Sequence, residues 1–314
     1  MDSKQSNIII GYAIGEAFGL PVQYCNRQKL LNNPVTKMLA CSKYNLLPGT
    51  YSSGTCTILA FMDAVIKTKR IDCSEIKSNL VDWLNHGKYT ATGQTLDIGF
   101  ITKHAILNDN RDFFKTVRTA SDELECEDND VLPRIIPLAI YLNTKNVREY
   151  DVYSITKNVC TITHIDEASK MACYILVKYI NFLLNGNDKY TSYNMLRALD
   201  YTMYFKPQTI RKFDRILIYN VYNFPLKEII SDESIINTLE AVFYVVLNST
   251  NFKQTIIGAA NLGGSSAVIA GVCGALAGII YGDDGIPKDW YQLLQNKDYL
   301  LKMINEYDTA LIKF

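Results

Sequence analysis

Chemistry in this chain would have to come from a few acids and hydroxyls set in apolar or glycine-rich surroundings. Glu16 stands in NIIIGYAIGEAFGL (residues 7–20), and Asp97 stands in GQTLDIGF, between Gly93 and Gly99. A carboxylate in such company is paired or hydrogen-bonded when buried, and either acid could instead act as a general base toward water. Ser52, Ser53, Gly54 and Thr55 open one apolar stretch, and Gly263, Gly264, Ser265 and Ser266 open another. Glycine takes backbone conformations closed to other residues, and the first N–H groups of a helix have no intrahelical partner. Both stretches are therefore candidate seats for an anion. Each residue also has a purely structural reading, as a cap or a turn.

Other polar residues carry weaker signals. The acidic run DELECEDND (122–130) reads mostly as a solvated loop. Arg134, between Pro133 and Pro137, is a fixed cation that could face that loop or a ligand phosphate. His164 sits at a helix start, where a structural hydrogen-bonding role outweighs a catalytic one, and Thr163 is the expected cap of that helix. His86 and His104 have no metal-ligand spacing with any cysteine.

The elements that must hold these residues read as helices. Gly11, Gly15 and Gly19 recur every four residues, and Ala267, Gly271, Gly274 and Gly278 fall about one turn apart. Each set leaves a bare stripe on a helix, so the two helices are expected to pack closely together. Thr255–Gly282 is uncharged, but Asn261 and the glycine pair interrupt it, and residues 267–281 alone are too short to cross a bilayer. Ile58, Leu59, Met62 and Val65 repeat with helical period, as do residues 235–248, while no segment alternates as a strand does. Residues 187–232 are expected to form variable helices and loops without a functional role. The expected fold is all-α, one domain over residues 1–314, with a dozen or more helices.

Composition narrows the partners. The 314 residues are 48% hydrophobic and 20% charged, with 32 Lys plus Arg against 32 Asp plus Glu. Such a balance disfavours a broad nucleic-acid footprint or a membrane-surface patch. The eight cysteines form no CxxC pair and no leader pattern precedes Ile8, so a reducing, cytoplasmic setting is expected.

Five segments taken in order resemble the ADP-ribosylglycohydrolase family, all-helical enzymes that use two Mg²⁺ to remove ADP-ribose from proteins or small acceptors. They are GYAIGEAFGLPVQY; PGTYSSGTCTILAFMDAVI; W…GKYTATGQTLDIGFITKHAI; NDVLPRIIPLAIYL with THIDEASKMACYILV; and NTLEAVFYVVLNST…AANLGGSSAVIAGVCGALAGIIYG…IPKDWYQLL. The resemblance places Asp97, Gly99, Asn129, Gly263 and Gly264 around the ADP-ribose site. It also shows departures. Where the family carries a metal-binding Thr-Asp-Asp, this chain has Ser52, Ser53 and Gly54. Where the family follows its glycine pair with Asp-Thr-Asp and a further Thr, this chain has Ser265, Ser266, Ala267 and Val268. Gln23 stands for the acid that ends the family's first motif, and Glu16 for an earlier Asp. Mg²⁺ requires several anionic oxygens, which serine does not supply. The expectation is therefore no metal cofactor and a pseudoenzyme that binds ADP-ribose, a related nucleotide or a protein partner through Ser52–Gly54, Asp97, Gly99, Asn129 and 263–266. Loss of acids is expected to make the cleft less negative and suited to an anion. The alternatives are a hydrolase rebuilt on Asp97 or Glu16, and a structural scaffold.

Overall fold

The computed structural model describes residues 4–107 and 127–313. The first part of the acidic run, 122–126, and Cys126 lie outside them. The first half holds α1 Lys4–Gly19, α2 Arg27–Asn32, α3 Ser53–Thr68, α4 Cys73–His86, α5 Phe100–Leu107, α6 Leu132–Thr144, α7 Glu149–Cys160 and α8 Glu167–Leu184, with α1 and α3 where the apolar period predicts them. The second half holds α9 Lys189–Arg197, α10 Pro207–Arg211, α11 Asp214–Leu217, α12 Ile235–Asn248, α13 Phe252–Ala260, α14 Ser266–Gly285, α15 Lys288–Leu293 and α16 Lys297–Lys313. Among the described residues the only β-pairings are two isolated bridges, Cys41 with Leu46 and Asp128 with Ser234.

The core is an antiparallel pair, α1 against α14, and their bare stripes meet as the spacing requires. A Cβ on Gly11 would come within 2.2 Å of the Gly274 carbonyl oxygen, and one on Gly15 within 2.0 Å of that of Ala270. The backbones are therefore in direct contact, and any larger side chain would force them apart. α14 is apolar on every side and packs also on α12 and α13, while α6 bridges α3 and α8. By length and composition α14 could span a membrane, yet 72% of its apolar window is buried inside the protein. Its regular helix breaks at Gly282, whose φ is 67°.

Helix ends follow side-chain chemistry. Asp72 accepts from the N–H groups of Ser74 and Glu75, and Asp188 from those of Tyr190 and Thr191. At α8 the expected cap is displaced: Asp166, not Thr163, accepts from the Ser169 N–H at 2.6 Å. Thr163 is drawn into a buried network instead. Residues 187–232 hold short helices as expected, but Ser231 within them accepts from the Ser265 N–H at 2.6 Å and so helps fix the start of α14.

Candidate functional site

Where the end of α1, the start of α3 and the start of α14 approach the Asp97 and Asp128–Asp130 loops, they enclose a cavity of about 180 Å³. Ser53, Asp97, Gly99, Asn129 and Ser265 line it, together with Gln23, Tyr24, Asp128, Asp130 and Glu233. Gly54 lines a smaller compartment that shares Ser53, Asp130 and Val268 with the cavity. The remaining sequence candidates lie off the cavity. The Ser266 hydroxyl donates to the Gly19 carbonyl at 2.9 Å. Gly263 and Gly264 have φ of 69° and 59°, and Cβ atoms there would press on the carbonyls of Cys25 and Ser231. The glycine pair permits a close turn between chain segments.

Glu16 is fully enclosed, and its carboxylate closes the start of α3. It accepts from the N–H groups of Ser52 (3.1 Å), Gly54 (2.7 Å) and Thr55 (3.0 Å), and from the hydroxyls of Ser52 (2.9 Å) and Thr55 (2.6 Å). Burial pushes its carboxyl up, while bonds from Thr55 and Ser52 pull it down. With Ser52 and Thr55 both donating to Glu16, the helix start that sequence offered to an anion already holds one, and Glu16 has no lone pair directed at a substrate.

Asp97 takes a left-handed backbone, φ 54°, which its short polar side chain tolerates. It is held at the cavity wall by Gln23 Nε2 (2.8 Å) and the Tyr44 hydroxyl (3.1 Å). Asn129 donates to Thr238 Oγ1 (2.7 Å) and Ser265 Oγ (2.9 Å), tying the loop to α12 and α14.

The end of the acidic run is not a solvated loop. Asp128 meets His164 Nε2 at 2.6 Å, His164 Nδ1 meets Thr163 Oγ1 at 2.7 Å, and Arg134 Nη2 donates to the Thr163 hydroxyl. Burial would raise the Asp128 carboxyl, but the charge and hydrogen bond of His164 bring it below its ordinary value. Among the described residues Asp130 has no such partner facing it. Burial first, then the charges of Asp128 and Asp97, hold its carboxyl well above the ordinary range. The carboxyl rests on Gly99, where a Cβ would come within 1.4 Å of Asp130 Oδ2. Sequence reading missed Asp128, Asp130 and Glu233 as site residues. The available signal was the pair of acids flanking Asn129 directly before an apolar helix.

Four carboxylates, Asp97, Asp128, Asp130 and Glu233, thus line the cavity, and among the described residues no lysine or arginine does. Acids outside the two altered motifs turn inward, which the expectation of a cleft suited to an anion did not include.

The ADP-ribosylglycohydrolase family model matches residues 3–313. The chain belongs to this family. It is 27% identical over 309 residues to the ADP-ribosylarginine hydrolase Tri1 of Serratia proteamaculans, covering 96% of this chain and 78% of that protein. It is 21% identical over 292 residues to the ADP-ribosyl-[dinitrogen reductase] glycohydrolase of Rhodospirillum rubrum, covering 92% and 89% respectively. A solved structure described as an ADP-ribosylglycohydrolase-related protein complex superposes with a TM-score of 0.77 at 19% identity, covering 98% of each chain, which supports the fold.

The donor set for the family's two Mg²⁺ can be tested on this geometry. At the positions the resemblance assigns, Ser52 donates to Glu16, Gly54 has no side chain, and Ser265 accepts from Asn129. Ala267 and Val268 offer no donor atoms. Among the described residues no group of three or more His, Cys, Asp or Glu side chains could hold a metal ion. These residues do not fit a two-magnesium centre.

Proposed function

We propose that this chain is a ligand-binding ADP-ribosylglycohydrolase that recognises ADP-ribose or a related nucleotide without metal and has lost metal-dependent hydrolysis. The observation that carries this reading is convergence: Ser53, Asp97, Gly99, Asn129 and Ser265 come from four separate segments to one cavity, while the neutral residues Ser53, Gly54, Ser265 and Ala267 occupy the positions that hold metal-binding acids in the family. The cavity admits one end of such a ligand, and the rest would lie across its mouth beside Tyr24 and Phe100. The seven described cysteines are free, which supports a reducing, cytoplasmic setting.

The test is thermal unfolding with ADP-ribose, in Mg²⁺ and in chelator, beside an assay for ADP-ribose release from an arginine-modified protein. Saturation at 100 times Kd stabilises by about 2.7 kcal/mol, and the shift should be the same in both buffers. Mg²⁺-dependent release of ADP-ribose would sink the proposal. A second reading, hydrolysis without metal, falls to Asp97, because it lines the cavity whereas Glu16 is fully engaged. It requires turnover that ignores chelator and disappears in Asp97→Asn.

A further inference from the structure

The smaller compartment behind Ser53 is walled by separate helices. Thr57 of α3, Trp83 of α4, Thr102 of α5 and Asp130, just before α6, line about 10 Å³ of space there. Two of these polar groups have no hydrogen-bond partner among the described residues: Trp83 Nε1, on a residue 1% exposed, and the Thr102 hydroxyl, on one 2% exposed. They differ in kind. An indole N–H only donates, a hydroxyl donates and accepts, and the Asp130 carboxyl adds two oxygens to the same wall. The Cys56 thiol lies beside the indole, but sulfur is a weak acceptor, and this thiol donates to the Tyr89 carbonyl at 3.6 Å. Buried groups left unanswered are costly, so a partner for both is expected in the space they share.

We infer that this compartment is a binding site for one fixed water, which accepts from Trp83 Nε1, bonds to the Thr102 hydroxyl and donates to the Asp130 carboxyl. This goes beyond the proposed function and needs neither nucleotide nor metal. Size and sign both select water. A single water requires roughly 10–15 Å³ and two to four polar partners, and the compartment offers that room and three partners. An organic group would not fit. A cation would be set against the positive end of the indole N–H, and an anion against Asp130 and the other three carboxylates of the adjoining cavity. Water can accept from one wall and donate to the other. The bridge ties α4 and α5 to the loop that carries Asn129 and Asp130, so Trp83, which does not line the larger cavity, helps to fix its wall.

The experiment joins a crystal structure of the full chain, at a resolution that shows ordered water and with one crystal soaked in Mn²⁺, to NMR of the two indole N–H groups, those of Trp83 and Trp290. One density peak should lie within hydrogen-bond distance of Trp83 Nε1, Thr102 Oγ1 and Asp130, with no anomalous signal from manganese. The Trp83 indole proton should show a cross-peak to water with the sign of a long-lived bound molecule. Thr102→Val keeps the shape of the side chain and removes one partner, so it should abolish that cross-peak and leave the Trp290 signal unchanged. The native measurements stand even if the variant fails to fold. No density peak, a peak that carries manganese, an indole proton that meets Cys56 Sγ alone, or an unchanged cross-peak in Thr102→Val would overturn the inference. Neither arm contains ADP-ribose, so failure here leaves the proposed function standing, and a missing ADP-ribose response leaves this water in place.

Discussion

The Glu16 carboxylate accepts from both the N–H and the hydroxyl of Thr55, at 3.0 and 2.6 Å, and so joins α1 to the start of α3. Three backbone N–H groups and two hydroxyls converge on this one side chain. Glu16→Ala leaves those donors buried and unanswered, at roughly 1–3 kcal/mol each before any relaxation. A loss of at least about 3 kcal/mol is expected in urea unfolding. Glu16→Gln keeps the shape but turns an amide N–H₂ toward donors, and should cost about 2 kcal/mol. Should both variants unfold like the native protein, the cap would be energetically idle.

Asp130 should make the protein more stable in acid than its other acids would. Its folded carboxyl lies well above the ordinary value through burial and the charges of Asp128 and Asp97. The folded state therefore binds the proton more tightly than the unfolded state does. Its favourable contribution is full below the unfolded value, about 3.9, and is lost as pH rises through the raised folded value. Asp130→Asn removes that dependence. The variant should gain thermal stability over the native protein at pH 8 and lose the gain near pH 3. A difference that does not change with pH would show that Asp130 titrates normally.

Asp128 runs the other way. Its folded carboxyl is lowered because His164 outweighs burial, so its contribution is present above the unfolded value and fades as pH falls through the folded one. Asp128→Asn should therefore destabilise at pH 7, by about 1–3 kcal/mol for the lost charged hydrogen bond to His164, with less effect at low pH. Equal destabilisation at both would mean that the bond does not depend on the carboxylate charge.

The fold was legible because its strongest signals are local. Small residues about one turn apart in α1 and α14 need no knowledge of distant residues, and they correctly paired Gly11 with the stripe containing Gly274. The site was half legible. Ser53, Asp97, Gly99, Asn129 and Ser265 were found from motifs, but what each side chain meets depends on residues far along the chain. Glu16 reaches Ser52 and Thr55 across 36 and 39 positions, and Asp128 reaches His164 across 36. No periodicity encodes those meetings. The described end of the acidic run departs from a solvated loop for the same reason, since charge density predicts solvent only when no buried histidine waits opposite.

Gly264 should tolerate almost nothing else. Its φ of 59° is left-handed and a Cβ would lie 1.9 Å from the Ser231 carbonyl oxygen, the same oxygen that accepts from the Ser265 N–H. Gly264→Ala combines about 1–2 kcal/mol of backbone strain with about 1–3 kcal/mol of overpacking. Denaturant unfolding should register the sum. A loss below about 1 kcal/mol would mean that the 231 loop yields.

Restoring acids tests which positions could still serve a metal. Ser53 and Ser265 face the cavity, so aspartates there would join the four carboxylates already lining it. Like charges at this density destabilise the protein until a cation offsets them. Gly54 differs, because a Cβ would lie 2.1 Å from the Tyr12 hydroxyl and 2.8 Å from Glu16 Oε1. Thermal unfolding of Ser53→Asp/Ser265→Asp should start below that of the native protein and rise with millimolar Mg²⁺, whereas the native protein should not respond. Gly54→Asp should be strongly destabilised, with or without the ion. A native protein that already gains stability with Mg²⁺ would instead place a working cation site among Asp97, Asp128, Asp130 and Glu233, and the neutral residues at the altered motifs would then mark a moved centre instead of a lost one.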